Sequence, residues 1–204
     1  MNDSGLYKLY MDNLYHYFQR FVEMSQDEFD RIAPYFEIRK FDKKVKMVDI
    51  GELDTYFNII VKGLVRKYLL VKKKEVTIQL STEGHMIHSE ISFNMQIPSD
   101  CIIETIEPSI FISISFANIQ RIYELYPKTE RLGRLIIEEM FIKKDYRDFE
   151  QLNKTTRERF LEYIQNHPDM LQRVPQKYLA SYLNIKPETF SRLKHLLRPK
   201  KINH

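Results

Sequence analysis

Seven short β-rich stretches between residues 35 and 115 limit the folds available to this chain more than any other feature. They are rich in β-branched and aromatic residues, and Gly51, Gly63 and Gly84 fall between or beside them. The stretches are 35–41, 46–49, 56–62, 64–71, 75–80, 101–106 and 109–115. Many short strands separated by turn residues predict a sandwich or a small barrel, and about 80 residues suit a jelly-roll-like β-barrel.

Helical patterns lie on both sides of this β-rich region. Ser25 is followed three residues later by Glu28, which is the capping-box pattern at the start of a helix. That helix should end near Pro34, because proline disfavours helix in the residue before it. The other predicted helices of this part are 6–21, 116–126 and 128–152. The predicted fold class is therefore α+β.

The predicted helix 128–152 has an apolar stripe that is wider than one globular face needs. Such a helix often has two partners, which here are its own barrel and a second subunit. Four apolar residues recur at helical spacing and form the predicted dimerisation seam, namely Leu132, Leu135, Ile136 and Met140. The alternative is a helix that packs only on the barrel.

The last third of the chain is basic and reads as three short helices. Residues 153–204 carry eleven Lys or Arg against four Asp or Glu, whereas the whole chain has 32 against 28. Thr155 and Glu158 form a second capping box, Pro175 begins another helix, and 171–174 reads as a short strand. A basic C-terminal segment suggests an anionic partner, nucleic acid first, although a merely solvated surface would have the same composition.

Residues 174–197 meet the requirements of a helix-turn-helix. Ala180 is small enough for the helix crossing, Asn184 tolerates the positive φ of the turn, and Pro187 suits the first helical position of the next helix. The buried positions would be Leu179, Leu183, Ile185, Phe190 and Leu193. An ordinary helical hairpin has the same periodicity, so the basic charge and the polar outer face favour the functional interpretation.

The outward positions of the helix that begins at Pro187 carry side chains of the kinds that can contact DNA bases. Glu188, Ser191, Arg192 and His195 would face base edges in a major groove, where Arg pairs with guanine and Glu accepts from cytosine. The predicted phosphate contacts, which give affinity without sequence information, are Thr189, Lys177, Lys186 and Lys194.

The segment 174–193 resembles the DNA-binding helices of the Crp/Fnr family, which includes the cyclic-AMP receptor protein and the fumarate-nitrate regulator. Residues 188–192, Glu-Thr-Phe-Ser-Arg, resemble the family's base-reading segment, with Glu188 and Arg192 at the base-contacting positions. The region 35–115 resembles the family's cyclic-nucleotide-binding-type barrel, and 128–152 its dimerisation helix. The chain departs from the family pattern at Asn184, where Gly is usual, and at Lys186, where Thr or Ser is common.

The resemblance implies a homodimeric, sequence-specific transcription regulator that reads a pseudo-palindromic operator through the helix at 187–197. Its domains would be an effector-type barrel with flanking helices (1–127), a dimerisation helix (128–152) and a winged-helix-like DNA-binding domain (153–204). Little chain follows Leu197, so we expect little room for the β-wing that some family members place after the recognition helix. The expected partners are double-stranded DNA, a second copy of the chain and RNA polymerase, with no membrane partner.

The candidate effector pocket contains Met86, Ile87, His88, Glu90, Ser99 and Asp100. Family barrels hold the cyclic phosphate with an Arg, which forks onto the phosphate oxygens. Here Ser99 stands at the matching position, Asp100 adds a negative charge, and no Lys or Arg occurs between Lys74 and Arg121. We therefore expect neither cyclic AMP nor cyclic GMP to bind. Either another ligand, which the sequence does not identify, occupies the pocket, or the side chains of the barrel fill it.

Enzymatic readings have little support. A cupin-like metal site is an alternative, but residues three apart on a strand face opposite sides, so His85 and His88 diverge while His88 and Glu90 align. We expect these histidines to be solvated loop residues, with no metal and no catalytic residues.

Cys101 is the single cysteine, so disulfides within the chain are excluded, and it lies in an apolar stretch. The sequence shows no secretion signal. We therefore expect a cytoplasmic protein. A third hypothesis is a ligand-binding barrel that has lost DNA binding.

Overall fold

Two antiparallel four-stranded sheets organise the first half of the chain in the computed structural model, which describes residues 3–195 and residue 197. The strands are β1 Phe36–Phe41, β2 Lys46–Val48, β3 Tyr56–Lys62, β4 Val65–Val71, β5 Lys74–Ser81, β6 Met86–Ile87, β7 Cys101–Thr105 and β8 Ser109–Ser115. One sheet has the order β1-β8-β3-β6 and the other β2-β7-β4-β5. Inward side chains of both sheets, among them Ile60, Ile103 and Phe111, pack into one buried cluster. The expected α+β fold with a jelly-roll-like β-domain is confirmed.

The helices flank the sheets and fill the C-terminal third. They are α1 Asp3–Gln19, α2 Gln26–Ile32, α3 Glu90–Met95, α4 Phe116–Leu125, α5 Pro127–Asn153, α6 Thr156–Asn166, α7 Met170–Arg173, α8 Gln176–Tyr182 and α9 Pro187–His195. Both predicted capping boxes are confirmed, since Ser25 caps α2 together with Glu28, and Thr155 caps α6 together with Glu158. Each of these caps satisfies backbone N–H groups that the first helical turn leaves without partners.

A second apolar cluster joins the N-terminal helices, the β1-β8-β3-β6 sheet and the first half of α5. Phe18 of α1 packs edge-on against Phe29 of α2 and contacts Phe36 of β1. Leu132 and Ile136 of α5 belong to the same cluster and are only 4% and 7% exposed. This cluster attaches α5 to the barrel, so one face of the long helix is an internal face.

The predicted dimerisation seam is therefore wrong where it uses Leu132 and Ile136, which are buried in the chain's own core. Leu135 and Met140 are half-buried against the same cluster. The exposed apolar side chains of α5 lie elsewhere on the helix, and they are Ile137, Phe141, Ile142, Tyr146, Phe149 and Leu152. The apolar stripe is wide because one part of it serves the core and another part faces outward.

Three local elements differ from the sequence expectations. The stretch 171–174 is not a strand, since α7 makes one helical turn there and Val174 N donates to Met170 O. The short strand β6 and the short helix α3 lie in a region for which the sequence pattern predicts no helix or strand. Among the described helices, none has the length and apolar character needed to cross a membrane.

Candidate nucleic-acid interface

The last three major helices enclose a small apolar core. Phe160 of α6 and Phe190 of α9 are almost fully buried and meet edge to face, with ring centroids 5.1 Å apart. Ala180 of α8, 2% exposed, belongs to the same cluster, and a larger side chain there would push α8 away from its neighbours. The residues predicted to form this core are all buried, namely Leu179, Leu183, Ile185, Phe190 and Leu193.

The turn between α8 and α9 has the predicted geometry. Asn184 adopts a φ of 53°, in the left-handed region that Asn visits more readily than most residues. Its N–H donates to Ser181 O at 3.1 Å, and Ile185 N donates to Ala180 O at 2.8 Å. These two bonds satisfy carbonyls at the end of α8, and they let the chain reverse within three residues before Pro187 begins α9.

The outer face of α9 is polar and accessible. Glu188, Ser191, Arg192 and His195 are all exposed, and their spacing of three or four residues places them on one side of the helix. Their side chains form no hydrogen bond or ion pair with the rest of the described chain. The helix therefore presents donors and an acceptor that the fold does not use.

The predicted phosphate-contacting residues surround this face. Lys186 and Lys194 are exposed at the two ends of α9, and Thr189 is half-buried. Lys177 is exposed near the start of α8, where its ammonium lies 4.8 Å from the centre of the Tyr178 ring. Lysines around a polar helix face suit a polyanion whose phosphates flank the groove that the helix enters.

The candidate effector residues fall into a buried part and an exposed part. Met86, Ile87, His88 and Ser99 are buried, whereas Asp100 is exposed, so the negative charge expected from Asp100 does not point into the barrel. His88 is 1% exposed and lies 4.6 Å from the Phe57 ring centre, which makes the reading of it as a solvated loop histidine wrong. Burial lowers the pKa of His88 to about 4.

Ser99, which stands where family barrels have an Arg, is used by the chain itself. Its hydroxyl donates to Cys101 O at 2.9 Å and lies 3.1 Å from the Ser89 hydroxyl. The backbone N–H of Ser89 donates to the Asp54 carboxylate at 2.6 Å. Cys101 is buried, as expected for a cysteine that packs as a small hydrophobe.

The sequence analysis missed the cation of this region, which comes from β4. Lys67 is buried, and its ammonium donates to the Glu90 carboxylate at 2.5 Å and to His88 O at 3.1 Å. Burial acts to raise the pKa of Glu90, but the charge and the hydrogen bond of Lys67, with smaller contributions from His88 and the backbone, together lower the pKa overall. The sequence does contain a signal for this position. Successive side chains of a strand point to opposite faces, so Lys67 of β4 lies on the face opposite Arg66. Within the described residues, no cluster of three or more His, Cys, Asp or Glu suits a metal ion.

Solved structures share this architecture. The c-di-GMP responsive global regulator CLP of Xanthomonas campestris superposes with a TM-score of 0.64 at 13% identity, over 82% of this chain and 89% of that one. FixK2 of Bradyrhizobium japonicum gives 0.63 at 15% identity, over 79% and 84%. A CooA mutant of Carboxydothermus hydrogenoformans gives 0.60 at 17% identity, over 91% and 86%. No family model and no curated protein matches the sequence.

At identities of 13–17%, these superpositions establish that the chains share a common fold. The fold joins a jelly-roll-like β-domain through a long helix to a C-terminal helix-turn-helix. It is the fold of the Crp/Fnr regulators, which confirms at the level of structure the resemblance seen in residues 174–193.

Proposed function

We propose that this chain is a homodimeric, sequence-specific DNA-binding transcription regulator of the Crp/Fnr type, acting in the cytoplasm. The observation that carries the proposal is the outer face of α9, where Glu188, Ser191, Arg192 and His195 are exposed and unpaired within the described chain. The fold common to CLP, FixK2 and CooA supports it. The alternative, a barrel that has lost DNA binding, gives no reason for a polar recognition face bordered by lysines.

In the proposed complex, α9 enters a major groove. Arg192 would donate to a guanine, Glu188 would accept from a cytosine, and Lys177 and Lys186 would contact phosphates. The positive end of the α9 dipole also favours a phosphate near Lys186. RNA polymerase is the further partner that the resemblance to the family suggests.

The second copy would bind along α5. Phe141, Tyr146 and Leu152 are 64%, 67% and 83% exposed, and they lie beside Ile137, Ile142 and Phe149 on the outward part of the helix. Exposed apolar stripes of this length mark interaction sites, and two copies of α5 would cover each other's stripes. We propose this surface as the dimerisation seam in place of the one predicted from the sequence.

Selection from a random DNA pool tests the proposal. We expect the full chain to enrich a pseudo-palindrome whose half-sites lie about 34 Å apart, since dimeric helix-turn-helix proteins bind half-sites one helical turn apart. Arg192→Ala should lose about 1–3 kcal/mol of binding free energy on the enriched site and relax the preference at one base position. A selection that enriches no sequence would contradict the proposal.

A further inference from the structure

The outer face of the β2-β7-β4-β5 sheet is covered by the DNA-binding helices of the same chain. Leu64, Leu80 and Ile106 of the β-domain belong to the same apolar cluster as Phe160 and Leu179. The backbone N–H of Thr77 on β5 donates to the Ser181 hydroxyl on α8 at 2.9 Å. The two parts of the chain therefore share a core, and they are not joined only by a linker.

Arg66 is the first of three cations at this junction. Its side chain is 1% exposed, and the guanidinium lies 3.8 Å from the centre of the Tyr68 ring and 3.7 Å from that of Tyr178 on α8. It donates to Glu75 at 2.7 Å and to Glu104 at 3.2 Å. A desolvated guanidinium between two aromatic rings, paired with two carboxylates, is a strong contact of defined orientation.

Arg173 on α7 makes the second contact, at a different edge of the β-domain. Its guanidinium donates to Glu107 at 2.8 Å, to Glu83 at 3.0 Å and to Gly63 O at 3.2 Å. Hydrogen bonds to Glu107 and then Glu83 raise the pKa of Arg173 further above its usual range. This contact ties the segment before α8 to the loops at the end of the sheets.

Arg147 of α5 makes the third contact and involves three elements. Its guanidinium donates to Ile78 O of β5 and to Tyr182 O of α8, and it lies 4.1 Å from the centre of the Tyr182 ring. A single side chain thus links the helix proposed for dimerisation, the β-domain and the DNA-binding helices. Three contacts at separate points restrain rotation as well as translation of α8 and α9.

We propose that Arg66, Arg147 and Arg173 are positioning residues, which lock the DNA-binding helices onto the β-domain and preset the orientation of α9 before DNA binds. This junction is called the arginine lock below. Its consequence for DNA binding rests on the proposed function, whereas the lock itself is a property of the chain without DNA.

Distance measurement between two spin labels tests the lock without DNA. The labels go on Met95→Cys of α3 and Gln165→Cys of α6, which are exposed positions outside the recognition face, whereas Cys101 is buried. Dilution into unlabelled chain leaves one labelled copy in each dimer. We expect one narrow distance distribution for the otherwise unchanged chain.

The lock is opened from the DNA-binding side, so that the sheets stay intact. The double variant Tyr178→Ala with Arg173→Gln removes one ring from Arg66 and all the carboxylate contacts of Arg173. We expect a clearly broadened distribution or a second distance, with unchanged circular dichroism. The matched control Arg157→Gln removes an exposed arginine of α6 that has no hydrogen bond or ion pair to the described part of the β-domain, and Tyr178→Phe keeps the ring over Arg66. Both should keep the narrow distribution.

Binding to the selected operator provides the second readout. If about a tenth of the opened variant has the competent orientation at any moment, its affinity falls about tenfold, and its base preference is unchanged because α9 is intact. A broad distribution for the unchanged chain, or a narrow one for the double variant, would overturn the lock. A narrow distribution without any DNA binding would instead refute the proposed function and leave the lock standing.

Discussion

Acidification should destabilise the fold through His88, and the size of the effect follows from its surroundings. Both ring nitrogens are buried without a hydrogen-bond partner in the described chain, and the ring contacts Phe57 and Phe93. Burial lowers the pKa of His88 from 6.5 to about 4, while the nearby charges of Glu90 and Lys67 act in opposite directions. A proton therefore binds the unfolded chain first as the pH falls.

The sign and the magnitude follow from proton linkage. A depressed folded-state pKa gives stability that is complete above 6.5, is lost progressively as the pH falls towards 4, and is constant below that. Between pH 7.5 and pH 5, the unfolded imidazole becomes almost fully charged while the folded one stays mostly neutral. The free energy of unfolding should fall by about 2 kcal/mol from this group alone.

Urea unfolding at the two pH values, compared with His88→Leu, isolates this contribution. The variant lacks the titrating group, so its stability should fall by about 2 kcal/mol less than that of the unchanged chain. The matched control His85→Leu removes an exposed imidazole three residues away and should keep the full loss. Equal pH dependence for His88→Leu and the unchanged chain would refute the assignment of His88 as a buried neutral group.

The remaining predictions concern the interfaces and the effector. Lys177→Ala should weaken binding to all DNA sequences alike and reduce the slope of log K against log salt by about one, measured by titration at several salt concentrations; loss at one sequence only would contradict a phosphate contact. Phe141→Asp with Tyr146→Asp should give a folded monomer in sedimentation that binds the operator poorly, and a variant that stays dimeric would place the seam elsewhere. Calorimetry should detect neither cyclic AMP nor cyclic GMP, because the Lys67 ammonium is already paired with Glu90; micromolar binding of either would contradict this.

Features governed by local sequence were predictable. The capping boxes at Ser25 and Thr155 depend on residues three apart, and the φ of Asn184 depends on the residue itself. The strands of 35–115 combine β-branched residues with glycine punctuation. The helix-turn-helix core was predictable because its buried positions follow helical periodicity within one short segment.

Features governed by contacts distant in sequence were not predictable. Nothing in the pattern of α5 shows that Leu132 and Ile136 face the core while Phe141 and Tyr146 face outward, since both sets are apolar. Lys67 of β4 and Glu90 of α3 are 23 residues apart in sequence, and only the fold brings them together. The helix α3 has six residues and no side-chain cap, so it leaves no periodic signal. Residues 171–174 look like a strand by composition, although their position between Asp169 and Pro175 allows only a single helical turn.

The most direct test of the central claim is base-by-base recognition by Arg192. The unchanged chain and Arg192→Ala would be titrated against the selected operator and against operators in which one base pair of each half-site at a time is replaced by each of the other base pairs. We predict that the unchanged chain prefers one base by about 1–3 kcal/mol at the symmetric pair of positions that Arg192 contacts, and that Arg192→Ala loses this preference while it keeps those at the other positions. Identical affinities and preferences for the two proteins would contradict the assignment of α9 as the DNA-reading helix.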